Sequence, residues 1–110
     1  MRLLLIHQNF PGQFRQLAPY LQQQGHEVVA ICSHERPIGI NCRILRYSEP
    51  SKPVNLSFGT ALSDEAFQRA RQVALLCEQL KQEGWRPDCI CAHTGWGETL
   101  GLREVWFDVP

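Results

Sequence analysis

Apolar and polar positions divide this chain into short uniform runs and longer periodic ones. Leu3 to Ile6 are unbroken apolar residues, too few for a helix and too uniform for a strand with one wet face. They predict a strand buried on both faces. "HEVVAIC", 26–32, and "DCICAH", 88–93, read the same way, whereas "CRILRY", 42–47, alternates and predicts a strand nearer the sheet edge. After Gly12, the residues Phe14, Leu17, Ala18 and Leu21 recur at helical spacing until Gly25 stops them, with a kink expected at Pro19. A long helix is predicted from Ser63, capped by that serine with Asp64 and Glu65 in its first turn, and ended by Gly84. Its apolar side is Ala66, Ala70, Val73, Cys77 and Leu80. A short helix from about Glu98 to Glu104 comes next, and "VWFDVP" reads as the lead into a further strand.

The polar stretches 33–41 and 48–60 have no period and predict loops. The first is long enough, at about 3.3–3.6 Å per extended residue, to return along a short strand, so the third strand is allowed to be parallel or to close a hairpin. Alternating strands and helices imply an α/β domain spanning 1–110, with a mainly parallel sheet in the order 3-2-1-4 and flanking helices. In that order strands one and four are neighbours. The crevice at their carboxyl ends is the expected ligand site.

Two histidines, His7 and His93, each follow a buried strand and precede a glycine turn, which brings both to one lip of the sheet. A histidine in such a place is more often a hydrogen-bonded structural residue than a catalyst, and its recurrence at adjacent strand ends strengthens the functional alternative. A neutral imidazole there can accept a proton from a hydroxyl group or position it. Gly12 either permits a tight turn at a helix start or lets a phosphate approach the backbone. Gly95, Trp96 and Gly97 suit a tight turn laying an aromatic plate on the core or on a ligand, with the core the expected place. Cys89, Cys91 and His93 share one strand face, but successive members stand roughly 6.6 Å apart at a 3.3 Å rise, too spread to chelate one zinc ion. No metal is expected. Glu98, at a helix start beside the crevice, is expected to be a surface carboxylate complementing the helix dipole, with a general-base role as the weaker alternative.

Composition narrows the classes. Eleven basic and eleven acidic side chains cancel over 110 residues, which argues against a nucleic-acid surface. The opening apolar run falls well short of a signal segment or a spanning helix of roughly 20 residues. A cytoplasmic protein is expected, with peripheral membrane attachment left open. Five cysteines, four of them inside apolar segments, fit free thiols rather than a disulfide framework.

Taken together, "HQNFPGQFRQLAPYLQQQGHEVVA" and "RPDCICAHTGWGETLGL" resemble the amino-terminal domain of family 4 retaining glycosyltransferases of the two-domain GT-B type. The resemblance spans nearly the whole chain and is weakest through 48–60. It implies a nucleotide-sugar donor, usually a uridine or guanosine diphosphate sugar, bound mainly by a carboxy-terminal domain, and an acceptor surface on this half. No other cofactor is implied. By the same resemblance Pro11, Gly12 and Gln13 form the loop facing the donor diphosphate. His93 matches the histidine near the transferred sugar, while the resemblance gives His7 no catalytic role; by topology rather than resemblance, His7, Gly95, Trp96 and Gly97 are expected to line the cleft. The family's donor-binding half, with its Arg/Lys pair and Glu-x7-Glu motif, has no counterpart, so this segment is expected to be inactive alone. Two alternatives stay open: a free-standing Rossmann-like module for a nucleotide or phosphate, and an interaction protein pairing through a sheet edge. An unpaired edge also makes a homo-oligomer an expectation.

Overall fold

The computed structural model describes residues 1–35, 40–52 and 55–110. Residues 36–39 of the expected 33–41 loop, and 53–54 of the expected 48–60 loop, lie outside the described residues. Four strands form the main sheet: β1 (Arg2–Ile6), β3 (Glu27–Cys32), β5 (Arg43–Arg46) and β6 (Cys89–Ala92). Their order is β5-β3-β1-β6 and every neighbouring pair is parallel. This is the 3-2-1-4 arrangement, and it resolves the third strand as parallel rather than a hairpin. A second ribbon, β2 (Asn9–Phe10) beside β4 (His34–Glu35), pairs the segments leaving β1 and β3. Nothing in the periodicity foretold it.

Side chains alternate across the sheet, and helices cover both faces. Leu4, Ile6, Val29, Ile31 and Tyr47 pack with Val73, Cys77 and Leu80 of α2 (Phe58–Gln82) and with Leu102 and Val105 of α3 (Leu102–Val105). Leu5, Val28, Ala30 and Cys32 face the other way, onto Phe10, Phe14 and Ala18, the last from α1 (Leu17–Gln23). Leu4, Leu5 and Ile6 are wholly inaccessible to solvent, each such side chain contributing roughly 1.5–3 kcal/mol by leaving water. A parallel sheet buried on both faces by helices is a Rossmann-like α/β fold. All five cysteines are free, Cys32 and Cys77 among the buried residues. Among the described residues, no helix is long and apolar enough to cross a membrane.

Four boundaries differ from the sequence expectation. Gly12–Phe14 is a single 3-10 turn, and the helix proper begins at Leu17. Pro19 therefore lies in the first turn, where its missing N–H has no intrahelical role, and no kink is needed. The long helix begins at Phe58 with Ser57 as its N-cap, so 58–60 are helix rather than loop. Ser63 is internal, its hydroxyl donating to the Gly59 carbonyl at 3.1 Å, an alternative that serine side chains offer inside helices. The last helix is only Leu102–Val105, which leaves Glu98 in the preceding turns. "VWFDVP" closes that helix and then turns. Its end reaches the outer edge of β6, where Ile90 N–H donates to the Pro110 carbonyl at 2.8 Å.

Candidate functional site

Each main strand ends at its carboxyl edge on a polar side chain: His7 after β1, Ser33 after β3, Tyr47 after β5 and His93 after β6. The ladder runs one bond past the strands. His7 N–H donates to Ile31 O at 3.1 Å, His93 N–H to Ile6 O at 2.9 Å and Tyr47 N–H to Cys32 O at 3.0 Å. With Ile6 opposite Ala92 in the register, the next residues on both strands are the two histidines. Their ring centroids lie 5.1 Å apart at a 46° tilt.

The two histidine turns share one design. His7 Nδ1 accepts from Asn9 N–H at 3.0 Å, and His93 Nδ1 accepts from Gly95 N–H at 3.4 Å. An accepting Nδ1 assigns the neutral tautomer with its proton on Nε2. Each ring also lies on a glycine. A Cβ built at position 12 would fall 2.3 Å from His7 Cε1, and one at position 95 would fall 2.6 Å from His93 Cε1. Burial lowers the pKa of His7, repulsion between the two imidazoles when both are protonated adds to that, and Glu98 only partly opposes them. Phe14 stands edge-on to the His7 ring at 6.0 Å. Gly12 and Gln13 are exposed, while Pro11 is buried.

Glu98 is wholly buried, which corrects its expected place on the surface. The chain is still turning at this residue, so the carboxylate folds inward. It accepts from Trp96 N–H at 3.2 Å and from the Tyr47 hydroxyl at 3.4 Å. Tyr47 is buried too. Burial and the Glu98 charge push its phenol pKa well up, so it stays a neutral donor. Trp96 departs from its expected place in the core: it is 48% exposed. Beside it Gly97 adopts φ +98°, and a Cβ there would fall 2.5 Å from the Ala66 carbonyl oxygen of α2.

Behind this turn stands Arg69 of α2, its side chain only 9% exposed. It donates to Trp96 O at 3.4 Å and lies 5.8 Å from the centroid of the Trp96 ring. It also reaches Glu49 at 3.5 Å and Glu65 at 3.8 Å. The Ser33 hydroxyl donates to Glu49, and Gln8 Nε2 donates to it at 3.2 Å. Burial resists the Glu49 charge, but the Ser33 and Gln8 hydrogen bonds together with Arg69 outweigh it and hold the carboxyl below its usual range. Loops after all four main strands are thereby tied to α2, those after β5 and β6 directly by Arg69 and those after β1 and β3 through Glu49.

Of the residues singled out in the sequence, the fold brings His7, His93, Gly95, Trp96, Gly97 and Glu98 to one edge, with Gly12 beneath His7. Pro11 and Gln13 flank that glycine. Ser33, Tyr47, Glu49 and Arg69 were missed. Arg69 left a signal, since it lies between Ala66 and Val73 on an otherwise apolar helix stripe, where a cation is out of place unless paired. Tyr47 sits at the strand-end position the histidines occupy. Cys89, Cys91 and His93 run along β6, and among the described residues no group of three His, Cys, Asp or Glu side chains could hold a metal ion. One cavity opens at the opposite edge of the sheet, beside Met1, Arg2 and Asp88, and another between α2 and α3. Neither includes these strand-end residues.

A parallel α/β domain with polar groups gathered at the carboxyl edge of its sheet belongs to the class that binds ligands at that edge. A model of the glycosyl transferase family 4 group matches residues 24–110, and the chain belongs to that family. The match contains His93, Trp96, Glu98 and Arg69 and begins after His7 and Gly12. Searches of curated proteins and of solved structures return no match to this chain.

Proposed function

We propose that this chain is the acceptor-side segment of an enzyme that transfers a sugar from a nucleotide-sugar donor. The observation that carries the reading is the pair of imidazoles 5.1 Å apart at the ends of β1 and β6, in a member of a glycosyl transferase family. His93, whose Nδ1 is taken by the Gly95 N–H, is placed to hydrogen-bond a hydroxyl of the transferred sugar through Nε2. Such a bond lowers the barrier to the extent that it strengthens in the transition state. The edge is an open lip, and a carboxy-terminal domain carrying the donor would supply the facing wall. Alone, the segment is inactive and binds sugar nucleotides weakly, because the exposed 3-10 turn at Gly12 is a single turn, and a helix N-terminus at an exposed site contributes only about 0.3–1 kcal/mol for an anion.

His93→Ala, measured in the complete enzyme, is expected to lower kcat by about 10²–10³-fold, the cost of removing one such stabilising donor, while the unfolding transition barely moves. Full turnover accompanied by a lowered unfolding midpoint would make His93 a structural residue and overturn the assignment.

A further inference from the structure

Trp96 is fixed by both of its backbone polar atoms. Buried Glu98 accepts its N–H at 3.2 Å, and buried Arg69 donates to its carbonyl at 3.4 Å. The guanidinium also lies over the indole, 5.8 Å from the ring centroid. With one face on Arg69 and 48% of the residue exposed, the surface left to solvent is the opposite face and edge. Gly97 is locked against Ala66 on one side, and Gly95 lies under the His93 ring on the other. A large apolar side chain held this rigidly, yet not buried, is arranged as a platform. Ordering it at binding costs less than for a free loop residue, because its backbone is already set and Arg69 already lies against the ring.

We propose that the exposed indole face is a stacking plate for a pyranose ring at the lip of the cleft, and that Arg69 and Glu98 are its positioning residues. A pyranose presents a face of C–H groups whose partial positive charge suits the negative face of an aromatic ring, while its hydroxyls point outward to polar neighbours. His93, two peptide bonds before the Gly95–Trp96 pair, is within the same turn. This proposal rests on the glycosyl-transfer reading for its choice of ligand class.

The test is a titration of this chain with methyl β-D-galactopyranoside and methyl β-D-glucopyranoside, followed by the indole N–H resonances of its three tryptophans. Trp96 should shift saturably while buried Trp85 and Trp106 stay still. Trp96→Ala should abolish the accompanying shifts of the Gly95 and Gly97 amides, and Trp96→Phe should keep them. Arg69→Met, which retains the aliphatic packing, should weaken binding roughly 2- to 10-fold, the range one oriented aromatic contact supplies. A Trp96 resonance that ignores both glycosides, or an unchanged amide response in Trp96→Ala, overturns the plate. The two readings fail separately. Sugar binding at Trp96 with full turnover in His93→Ala keeps the plate and removes the proposed role of His93. Loss of turnover in His93→Ala, with Trp96 silent to both glycosides, does the reverse.

Discussion

The turn after β1 and the turn after β6 are built alike and used differently. In both, a histidine ends the strand, accepts from the amide two residues on, and rests its ring on a glycine. The first ring is then closed in by Phe14, and burial lowers its pKa. The second turn is held instead by buried charges, Glu98 from within and Arg69 from α2. Only the second lies inside the stretch matched by the family. One motif thus sits in two settings: His7 packs beside the buried Phe14, and His93 stands in a polar frame that fixes its neighbours without covering them.

Glycine substitutions break the comparison most sharply. At position 97 a Cβ would meet the backbone of Ala66 at 2.5 Å, and φ is +98°. Neither strain can relax unless the turn leaves α2. Gly97→Ala is expected to cost on the order of 3 kcal/mol, combining an overpacking penalty of about 1–3 with a left-handed penalty of about 1–2. At position 12 φ is +47° and the obstacle is the His7 ring, a side chain that can give way only by losing its bond from Asn9 N–H. Gly12→Ala should therefore cost about 1–2 kcal/mol of backbone strain and up to about 1 more for that bond, without a clash against backbone. Urea unfolding of both variants measures the difference. Equal losses would mean that the two turns are equally rigid.

The main sheet was readable because its two central strands, β1 and β3, are too uniformly apolar to have a wet face, which points to parallel pairing between helical layers. By contrast, β5 left its direction open, and β6, expected to be buried on both faces, is only half-buried at the sheet edge. Histidines at two strand ends could then be placed together by topology alone. What was not readable depends on long-range polar contacts. Ser63, Asp64 and Glu65 look like a helix start, yet α2 begins at Phe58, and its exposed first half is tied to the preceding segment by Gln68 and Gln72 bonding to Ser51 and Ser48. Glu98 looked like a surface carboxylate because its partner Tyr47 lies 51 residues away. The β2–β4 ribbon has two residues per strand, too few to leave a period.

A smaller effect sharpens the polar frame. Tyr47→Phe removes one of the hydrogen bonds that buried Glu98 accepts, together with the contact between the phenol and the Ser33 hydroxyl. At 3.4 Å the bond is long, so a loss of about 1 kcal/mol is expected, the typical net value for an intramolecular hydrogen bond. Thermal unfolding reads the loss. In the Trp96 indole resonance the change should be visible without added ligand, because the carboxylate that holds Trp96 N–H is then free to shift. A stability loss with an unmoved resonance would show that Tyr47 supports the core but not the turn.

The smallest effect is a pH dependence confined to the first turn. His7 is held neutral: burial disfavours its imidazolium and repulsion from the neighbouring imidazole, when that ring is protonated, adds to this, with Glu98 opposing in part. As pH falls through roughly 6.5, an unfolded histidine takes up a proton that folded His7 resists, so the unfolded state gains protons first. Stability supplied by the neutral ring is complete above the unfolded pKa. It declines as pH falls and is lost once the lowered folded pKa is passed. Glu49, whose carboxyl is also held low, adds a second decline, but only below the ordinary carboxylate pKa of about 4.3. The window between roughly pH 5 and 7 therefore isolates the histidines from it. His7→Asn keeps an acceptor for Asn9 N–H and cannot titrate. In this variant the slope of unfolding free energy against pH in that window should flatten, whatever the absolute stability. If the slope persists, the acid sensitivity arises elsewhere, and the closed environment inferred for His7 has no thermodynamic consequence.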